Sequence, residues 1–596
     1  MVNNYAGGAM DLIYQPDFLL DSRKQEDLQR FAEGLNREQL LWASGFLTGI
    51  GKTATTQIRT GSAEVCVTVL FGTETGNAKS LASALATRLS AVGVQAIVQD
   101  MLTYGRAKLR RDHVVLVIVS THGDGEPPDS ARVLHSALTN GQIPDLQGKR
   151  FAVLALGDAS YPRFCQAGKD FDTALAAAGA IRLVPRTDCD VDYEEIATHW
   201  MEQIIGALAT NDAAHTAMFP APTPLAKSAH ISFPASLVER VKLSGRGSSR
   251  EVWHLELDTD GLDLHYTPGD SISLVPGNPP QFVEELLDRL ELDHRASVQT
   301  RHGEMPLVEA LASRYEITRI TRPFLECYAH LSEAKVLHST LSEESANDFG
   351  EWTYGREIID IIGQYPIKGL CAQSFVDCLR PLPARRYSIA SSIMSSPGEV
   401  HLTVAAVHYS SHGRERMGVA STFLAERLAV GRSIPMRVEA NTEFRLPENL
   451  GQPLIMIAAG TGVAPFRAFL QEREALGATG RNWLIFGDRH LSTDFLYQRE
   501  WLRWLKDGRL TRLDVAFSRD QEHKVYVQDR LREHAADIYA WLEEGAAFYV
   551  CGAEAMGRAI QQALIDALRS AGRTQEQAEK YILTLKQEGR YQRDVY

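Results

Sequence analysis

The sequence predicts two doubly wound α/β units with an antiparallel β unit between them. Three observations carry this. From Val65, continuous apolar runs (VCVTVLF, then VVLVIV at 114–119 and FAVLAL at 151–156) alternate with helical and loop segments. Parallel strands covered on both faces read this way. From Ile231 the runs shorten and alternate in polarity, as in EVWHLELD, PGDSISLVP, RRYSIASS and EVHLTVAAV, which is the pattern of antiparallel strands. From Pro453 the first pattern returns in PLIMIAAG, NWLIFGD, LDVAFSRD and AFYVCG.

The 596 residues amount to about four domains at ~150 residues each. Residues 1–63 form an N-terminal segment in which Leu28, Phe31, Leu35 and Leu40 have helical spacing, followed by polar sequence. Residues 64–204 form the first α/β unit. Leu81, Leu85 and Leu89 recur every four residues after its first strand and predict an amphipathic helix. Residues 205–230 are Ala/Thr/Pro-rich with few large apolar groups and read as a flexible linker. Residues 231–450 hold the antiparallel strands, interrupted by a Leu-rich helical insertion over about 281–380. Residues 451–596 form the second α/β unit.

Composition bounds the function. At 44% apolar and 23% charged residues the chain is globular, neither fibrous nor wholly disordered. No apolar run approaches the ~18 residues of a membrane helix. The first residues, MVNNYAGGAMDLIYQ, lack the basic and apolar regions of a secretory signal. The net charge of −13 argues against a nucleic-acid binder, because phosphate contacts need a basic surface. It suits docking on a basic partner, although many soluble enzymes are equally acidic. The seven cysteines (66, 165, 189, 327, 371, 378, 551) are scattered without a CxxC pair. They predict reduced thiols in a cytoplasmic protein, with no disulfide framework and no metal site.

Three loops follow the buried strands of the first unit, where open parallel sheets bind ligands. Thr73, Glu74, Thr75, Gly76, Asn77 and Ala78 join strand to helix; hydroxyls, an amide and free N–H groups there make an anion cradle. The loop lacks a P-loop lysine and GxGxxG spacing, which points to a terminal phosphate. The second loop starts Ser120, Thr121, His122, Gly123, and the third runs Leu156, Gly157, Asp158, Ala159, Ser160, Tyr161, Pro162, Arg163, Phe164, Cys165. Glycines admit a flat ligand close to the backbone, and Tyr161 offers a ring to stack on it. Any one of these is also an ordinary turn; three in order point to a binding site.

On these loops the first unit resembles a flavodoxin-type FMN domain. The second half resembles ferredoxin–NADP reductase, and the two together resemble the diflavin reductases. The likeness runs over nearly all of 64–596 and is strongest to the flavoprotein subunits of assimilatory NADPH–sulfite reductases, down to the terminal RYQRDVY. The resemblance implies a flavodoxin-like domain, an FAD-binding β-barrel with a helical insertion, and a C-terminal α/β NADP-binding domain.

It also implies site residues. Arg385, Arg386, Tyr387 and Ser388 would bind FAD, with a fixed cation for pyrophosphate and a ring and hydroxyl for the isoalloxazine. Thr403, Val404, Ala405, Tyr409 and Thr321 would add FAD contacts, as would Gly418, Val419, Ala420 and Ser421 before a helix. Gly460, Thr461 and Gly462 would meet the nicotinamide nucleotide at a strand–helix turn. Ser518 and Arg519, with Lys524, Val525, Tyr526, Val527 and Gln528, supply cations, hydroxyls and an amide suited to the 2′-phosphate of NADPH. Relatives carry Asp where this chain has Ala559. Ser388, Cys551 and Asp594 would surround the hydride path, and Tyr596 would cover the flavin.

NADPH gives two electrons as a hydride, while haem and iron–sulfur acceptors take one at a time. The flavins reconcile the two. With no cysteine cluster for an iron–sulfur centre, the terminal acceptor is expected on another protein. The resemblance implies a sulfite reductase hemoprotein carrying sirohaem and an iron–sulfur cluster, in a multimeric holoenzyme assembled through residues 1–63. The alternative is a reductase for a monooxygenase or another haem partner.

Overall fold

The computed structural model describes residues 67–74, 76–123, 125–142, 145–209, 232–262, 264–340 and 346–596. The N-terminal segment 1–63, Thr75 and the linker beyond Ala209 lie outside the described residues.

The first sheet contains β1 (Val67–Gly72), β2 (Ala96–Asp100), β3 (Val114–Ser120), β4 (Arg150–Leu156), β5 (Ile181–Arg182) and β6 (Thr187–Cys189). All pairings are parallel, in the order β2-β1-β3-β4-β5 with β6 also on β4. Helices cover both faces. Leu81, Leu85 and Leu89 of helix Asn77–Ala91 pack with Trp200 and Ile204 on one side. Leu134, Leu138, Phe171 and Leu175 pack on the other. This two-sided burial is why β1, β3 and β4 read as unbroken apolar runs. The last helix of this unit runs from Glu194 to Ala209, past position 204 and into the segment read as linker. Ile204 and Leu208 extend its buried stripe.

The second sheet contains β7 (Phe233–Lys242), β8 (Glu251–Asp258), β9 (Ser271–Leu274), β12 (Arg385–Ser388), β13 (Glu399–Ala406) and β16 (Ser433–Glu439). It is antiparallel, in the order β12-β9-β16-β7-β8-β13. A bridge between Ile389 and Leu402 joins the end of β12 to β13 and closes the barrel. The hairpin β10 (Ser297–Thr300) and β11 (Gly303–Pro306) belongs to the insertion. So do helices from Pro280–Leu290 to Ala372–Asp377, which share a core around Leu286, Phe324, Ile359 and Phe375. A second hairpin, β14 (His408–Ser411) and β15 (Arg414–Met417), follows β13.

The insertion corrects the cysteine expectation. Cys327 and Cys378 form a disulfide across 51 positions, with Cα atoms 5.4 Å apart. Spacing along the chain cannot reveal a pair that only helix packing brings together. Cys165, Cys189, Cys371 and Cys551 are free.

The third sheet contains β17 (Leu454–Ala459), β18 (Asn482–Asp488), β19 (Arg512–Phe517), β20 (Ala547–Gly552) and β21 (Tyr591–Val595). It is parallel, in the order β19-β18-β17-β20-β21. Because β21 is parallel to β17, the chain terminus emerges at the same sheet end as the loop after β17.

Candidate functional site

The carboxyl ends of the first sheet open on a cavity of about 870 Å³. Ser120, Thr121, His122, Gly123, Leu156, Gly157, Asp158, Tyr161, Arg163, Phe164 and Cys165 line it, with Asn77. The loops are held from behind. Thr121 N donates to Leu156 O at 2.8 Å, Gly157 N to Cys189 O at 3.0 Å, and Ala159 N to Asp190 Oδ1 at 2.9 Å. Ser160 N donates to Asp158 Oδ1 at 2.9 Å. A Cβ on Gly157 would lie 2.9 Å from Cys165 N, so only glycine lets the two ends of this loop pack so closely. The Cys165 thiol is buried, and burial pushes its pKa up; it packs the loop. In the loop after β1, Thr73 Oγ1 accepts from Gly76 N at 2.9 Å. Glu74 Oε1 accepts from Asp129 N at 2.6 Å, and Ala78 is fully buried beneath. The Arg319 guanidinium lies 5.6 Å from the centroid of the Tyr161 ring.

The barrel and the second α/β unit enclose a cavity of about 380 Å³, lined by Arg385, Arg386, Tyr387, Ser388, Thr403, Ala405, Ser421, Thr461, Asp594 and Tyr596 among others. A third, of about 850 Å³, is lined by Ser160, Tyr161, Pro162, Tyr387, Tyr409, Gly418, Val419, Ala420 and Ser421. Arg385 lines all three. Glu316, nearly fully buried, sits 3.6 Å from Arg385 and fixes it. Alternation along β13 turns Thr403 and Ala405 to the cavity and Val404 into the barrel core, so Val404 offers backbone alone. Thr321 lines none of the three. Its hydroxyl accepts from Phe324 N at 3.2 Å and caps helix Arg322–Ser332.

Ser388, Cys551 and Asp594 are brought together. Ser388 Oγ donates to Asp594 Oδ2 at 3.1 Å, and Cys551 Sγ lies 3.8 Å from the same oxygen. Burial raises the Asp594 pKa, while the Ser388 and Cys551 donors oppose the rise. Burial and the neighbouring Asp594 push the Cys551 thiol well up, so it stays protonated and donates. Tyr596 is tied down. Its N–H donates to Gly552 O at 3.1 Å, and its hydroxyl shares a 3.0 Å hydrogen bond with Thr461 Oγ1. Gly460 has φ +57, and a Cβ on Gly462 would lie 2.2 Å from Cys551 O. Both glycines are therefore demanded by the turn where it meets β20.

Ser518 and Arg519 follow β19, their N–H groups donating to Asp488 O and Arg489 O at 2.9 Å each. The side chains of Arg519, Lys524 and Tyr526 are exposed, Val525 and Gln528 are half-buried, and Val527 is buried at the start of helix Val527–Glu533. This loop lines none of the three cavities.

Sequence reasoning missed the residues that join the units. Half-buried Arg380 pairs with Asp158 at 2.8 Å and Asp190 at 3.5 Å. Its Nε and Nη2 have no hydrogen-bond partner among the described residues while the side chain lines the first cavity, so donors remain for an anionic or carbonyl-rich ligand. Lys586 pairs with Asp129 at 2.8 Å, and Arg593 pairs with Asp129 and, at 3.6 Å, with Glu74. None of these stands in a recognisable motif. A half-buried Arg–carboxylate set spanning hundreds of positions leaves no local signal.

The flavins fit these residues. A glycine-lined cavity at the carboxyl end of a parallel sheet holds the unused donors of Arg380, and the barrel cavity holds an arginine fixed by Glu316. Matches to known families agree: the flavodoxin family over 69–200, the FAD binding domain over 226–423 and the oxidoreductase NAD-binding domain over 456–562. The chain is 43% identical to the sulfite reductase (NADPH) flavoprotein alpha-component of Bacillus subtilis (strain 168), over 97% of this chain and 98% of the relative. It is 42% identical to that of Neisseria meningitidis serogroup C (strain 053442), over 96% and 97%. The alpha-component of Vibrio cholerae serotype O1 (strain El Tor Inaba N16961) is 41% identical over 97% and 96%. With likeness of this extent and three matched domains in order, the chain belongs to the sulfite reductase (NADPH) flavoprotein alpha-component family.

Proposed function

We propose that this chain oxidises NADPH and passes its electrons through FAD and FMN to a separate sulfite reductase hemoprotein, which reduces sulfite to sulfide. The convergence of three cavities on Arg385, beside the assembled Ser388–Cys551–Asp594 group, carries this reading. When bound, the flavins accept a hydride and release single electrons. The residues hold and orient. Arg385, held by Glu316, and Arg380 offer cations to FAD and to the FMN side. Ser388 and Asp594 fix the hydride face, and Asp594 accepts from the Ser388 hydroxyl while Cys551 stays protonated. Gly460, Thr461 and Gly462 leave room for the nicotinamide nucleotide. Arg519 and Lys524 recognise its 2′-phosphate. Tyr596 closes the cavity against water and competes with nicotinamide for the ring face.

The name of the relatives, alpha-component, supports a companion subunit; a partner with sirohaem and an iron–sulfur cluster fits a one-electron output. Assembly through residues 1–63 into a multimer, and residence in the cytoplasm, belong to the same reading. Among the described residues no helix is long and apolar enough to cross a membrane. Purified chain should be yellow, oxidise NADPH with artificial one-electron acceptors, and yield sulfide from sulfite only when the hemoprotein is added. Sulfide formation by the chain alone, or none with the hemoprotein present, would overturn the proposal.

A further inference from the structure

Thr403, on the cavity wall, begins a line of hydrogen bonds that leaves the site. Its Oγ1 lies 2.7 Å from the Tyr497 hydroxyl. That hydroxyl lies 2.9 Å from His254 Nδ1, and His254 Nε2 lies 3.2 Å from Glu256 Oε1. Thr403, His254 and Tyr497 are buried, whereas the Glu256 side chain is 25% exposed. We propose that Thr403, Tyr497, His254 and Glu256 form a proton path from the flavin cavity to solvent.

The proposal rests on the NADPH-oxidising reading. NADPH leaves as NADP⁺, and its hydride amounts to one proton and two electrons. The electrons go to the external acceptor, so one proton per NADPH must leave the cavity. The four groups can carry it in one direction. The Thr403 O–H bond breaks as a new proton arrives and its own passes to the Tyr497 oxygen. The Tyr497 O–H breaks as an N–H forms at His254 Nδ1, and the His254 Nε2–H breaks as Glu256 Oε1 is protonated. Hydroxyl rotation and tautomer exchange at His254 reset the path.

Three further observations fit a path rather than a packing cluster. Tyr497 holds a bulky ring at φ +54, a left-handed backbone that such residues avoid and that a functional placement justifies. Burial, Arg467 and His401 push the His254 pKa down to about 3, so the imidazole passes a proton on without trapping it. Burial, Glu239 and Glu399 raise the Glu256 carboxyl, which suits a terminal acceptor. His254, Glu256 and His401 also lie within metal-binding range of one another. However, Arg467 Nη1 donates to His401 Nδ1 at 3.1 Å, which leaves the neutral ring protonated at Nε2, where it meets Glu399 at 2.9 Å. No lone pair remains there for a cation.

The test uses the full flavin-loaded chain, with proton release followed by a pH-indicator dye in weak buffer as ferricyanide reoxidises NADPH-reduced protein. In the wild type the proton should appear together with loss of the electrons. In Tyr497→Phe it should lag by about a hundredfold, the scale of a lost positioned proton carrier. Glu256→Gln, at the exposed end, guards against misfolding. It should show the same kind of lag with an unchanged rate of bleaching by NADPH. On the apo chain, ¹⁵N spectra should show His254 protonated at Nε2, with Nδ1 losing its hydrogen bond in Tyr497→Phe. Proton release in step with reoxidation in both variants, or a His254 proton on Nδ1, would overturn the path. Failure of NADPH to bleach any of the proteins would instead overturn the NADPH-oxidising reading.

Discussion

Asp594 accepts a hydrogen bond from Ser388 at 3.1 Å across 206 positions of chain. The sheet makes this meeting. Register between β20 and β21 sets Asp594 beside Cys551, and the barrel delivers Ser388 at the end of β12. The next residue back, Arg593, contacts the first α/β unit through Asp129 and Glu74. One short terminal strand thus supplies both the carboxylate that gathers Ser388 and Cys551 and the cation at the junction with the flavodoxin-like unit.

The Asp594 carboxylate is the form that accepts from both Ser388 and Cys551. Its raised pKa places protonation above the ordinary 3.8, so NADPH-driven flavin reduction should fall as pH drops through that raised value. Asp594→Asn should lower the rate about tenfold to a hundredfold, or ~1.4–2.7 kcal/mol, and abolish this acid limb. For stability the sign is opposite: a raised acid favours the fold at low pH and loses that contribution as pH rises through the raised value. Stopped-flow pH profiles and denaturation of both proteins check the two effects.

Burial opposes ionisation of Asp129, but Lys586 and Arg593 outweigh it and pull the carboxyl down to about 2. A depressed acid stabilises the docked units above pH 3.8, and the contribution, roughly 2 kcal/mol, is lost as pH falls towards 2. Asp129→Asn should loosen the junction at neutral pH. Small-angle scattering should show an expanded population, and hydrogen exchange around Lys586 should quicken.

Arg519 and Lys524 are exposed cations on the loop after β19. Changing both to Ala should raise the KM for NADPH far more than that for NADH, each lost contact costing ~1.5–3 kcal/mol. Steady-state kinetics with both nucleotides check this, and an equal loss for the two would refute the phosphate assignment.

Tyr596 is anchored by backbone and hydroxyl, so Tyr596→Ala removes the ring without freeing β21. The variant should bind NADP⁺ more tightly, use NADH better and release product more slowly. Stopped-flow reduction by both nucleotides reads the change; wild-type kinetics would make the ring dispensable.

The three strand-end loops were legible because parallel sheets place ligand loops at fixed points in the alternating pattern. Glycines such as Gly157 and Gly462 carried their reason in the sequence as well. Strand alternation could have shown that Val404 faces the core, and Thr321 before Arg-Pro has the look of a helix cap. Arg380, Glu316, Lys586 and Arg593 were illegible because their partners lie far along the chain, and a lone charge reads as a solvated face. The Cys327–Cys378 pair was hidden for the same reason: only the packed insertion brings the two together.

The central claim is that electrons reach the partner through FMN on the first unit. The direct measurement is the rate of hemoprotein reduction by NADPH with FMN-depleted and FMN-replete chain. The FMN-depleted chain should still be reduced by NADPH yet fail to reduce the hemoprotein, with added FMN restoring transfer. Hemoprotein reduction at the full rate without FMN would contradict the account.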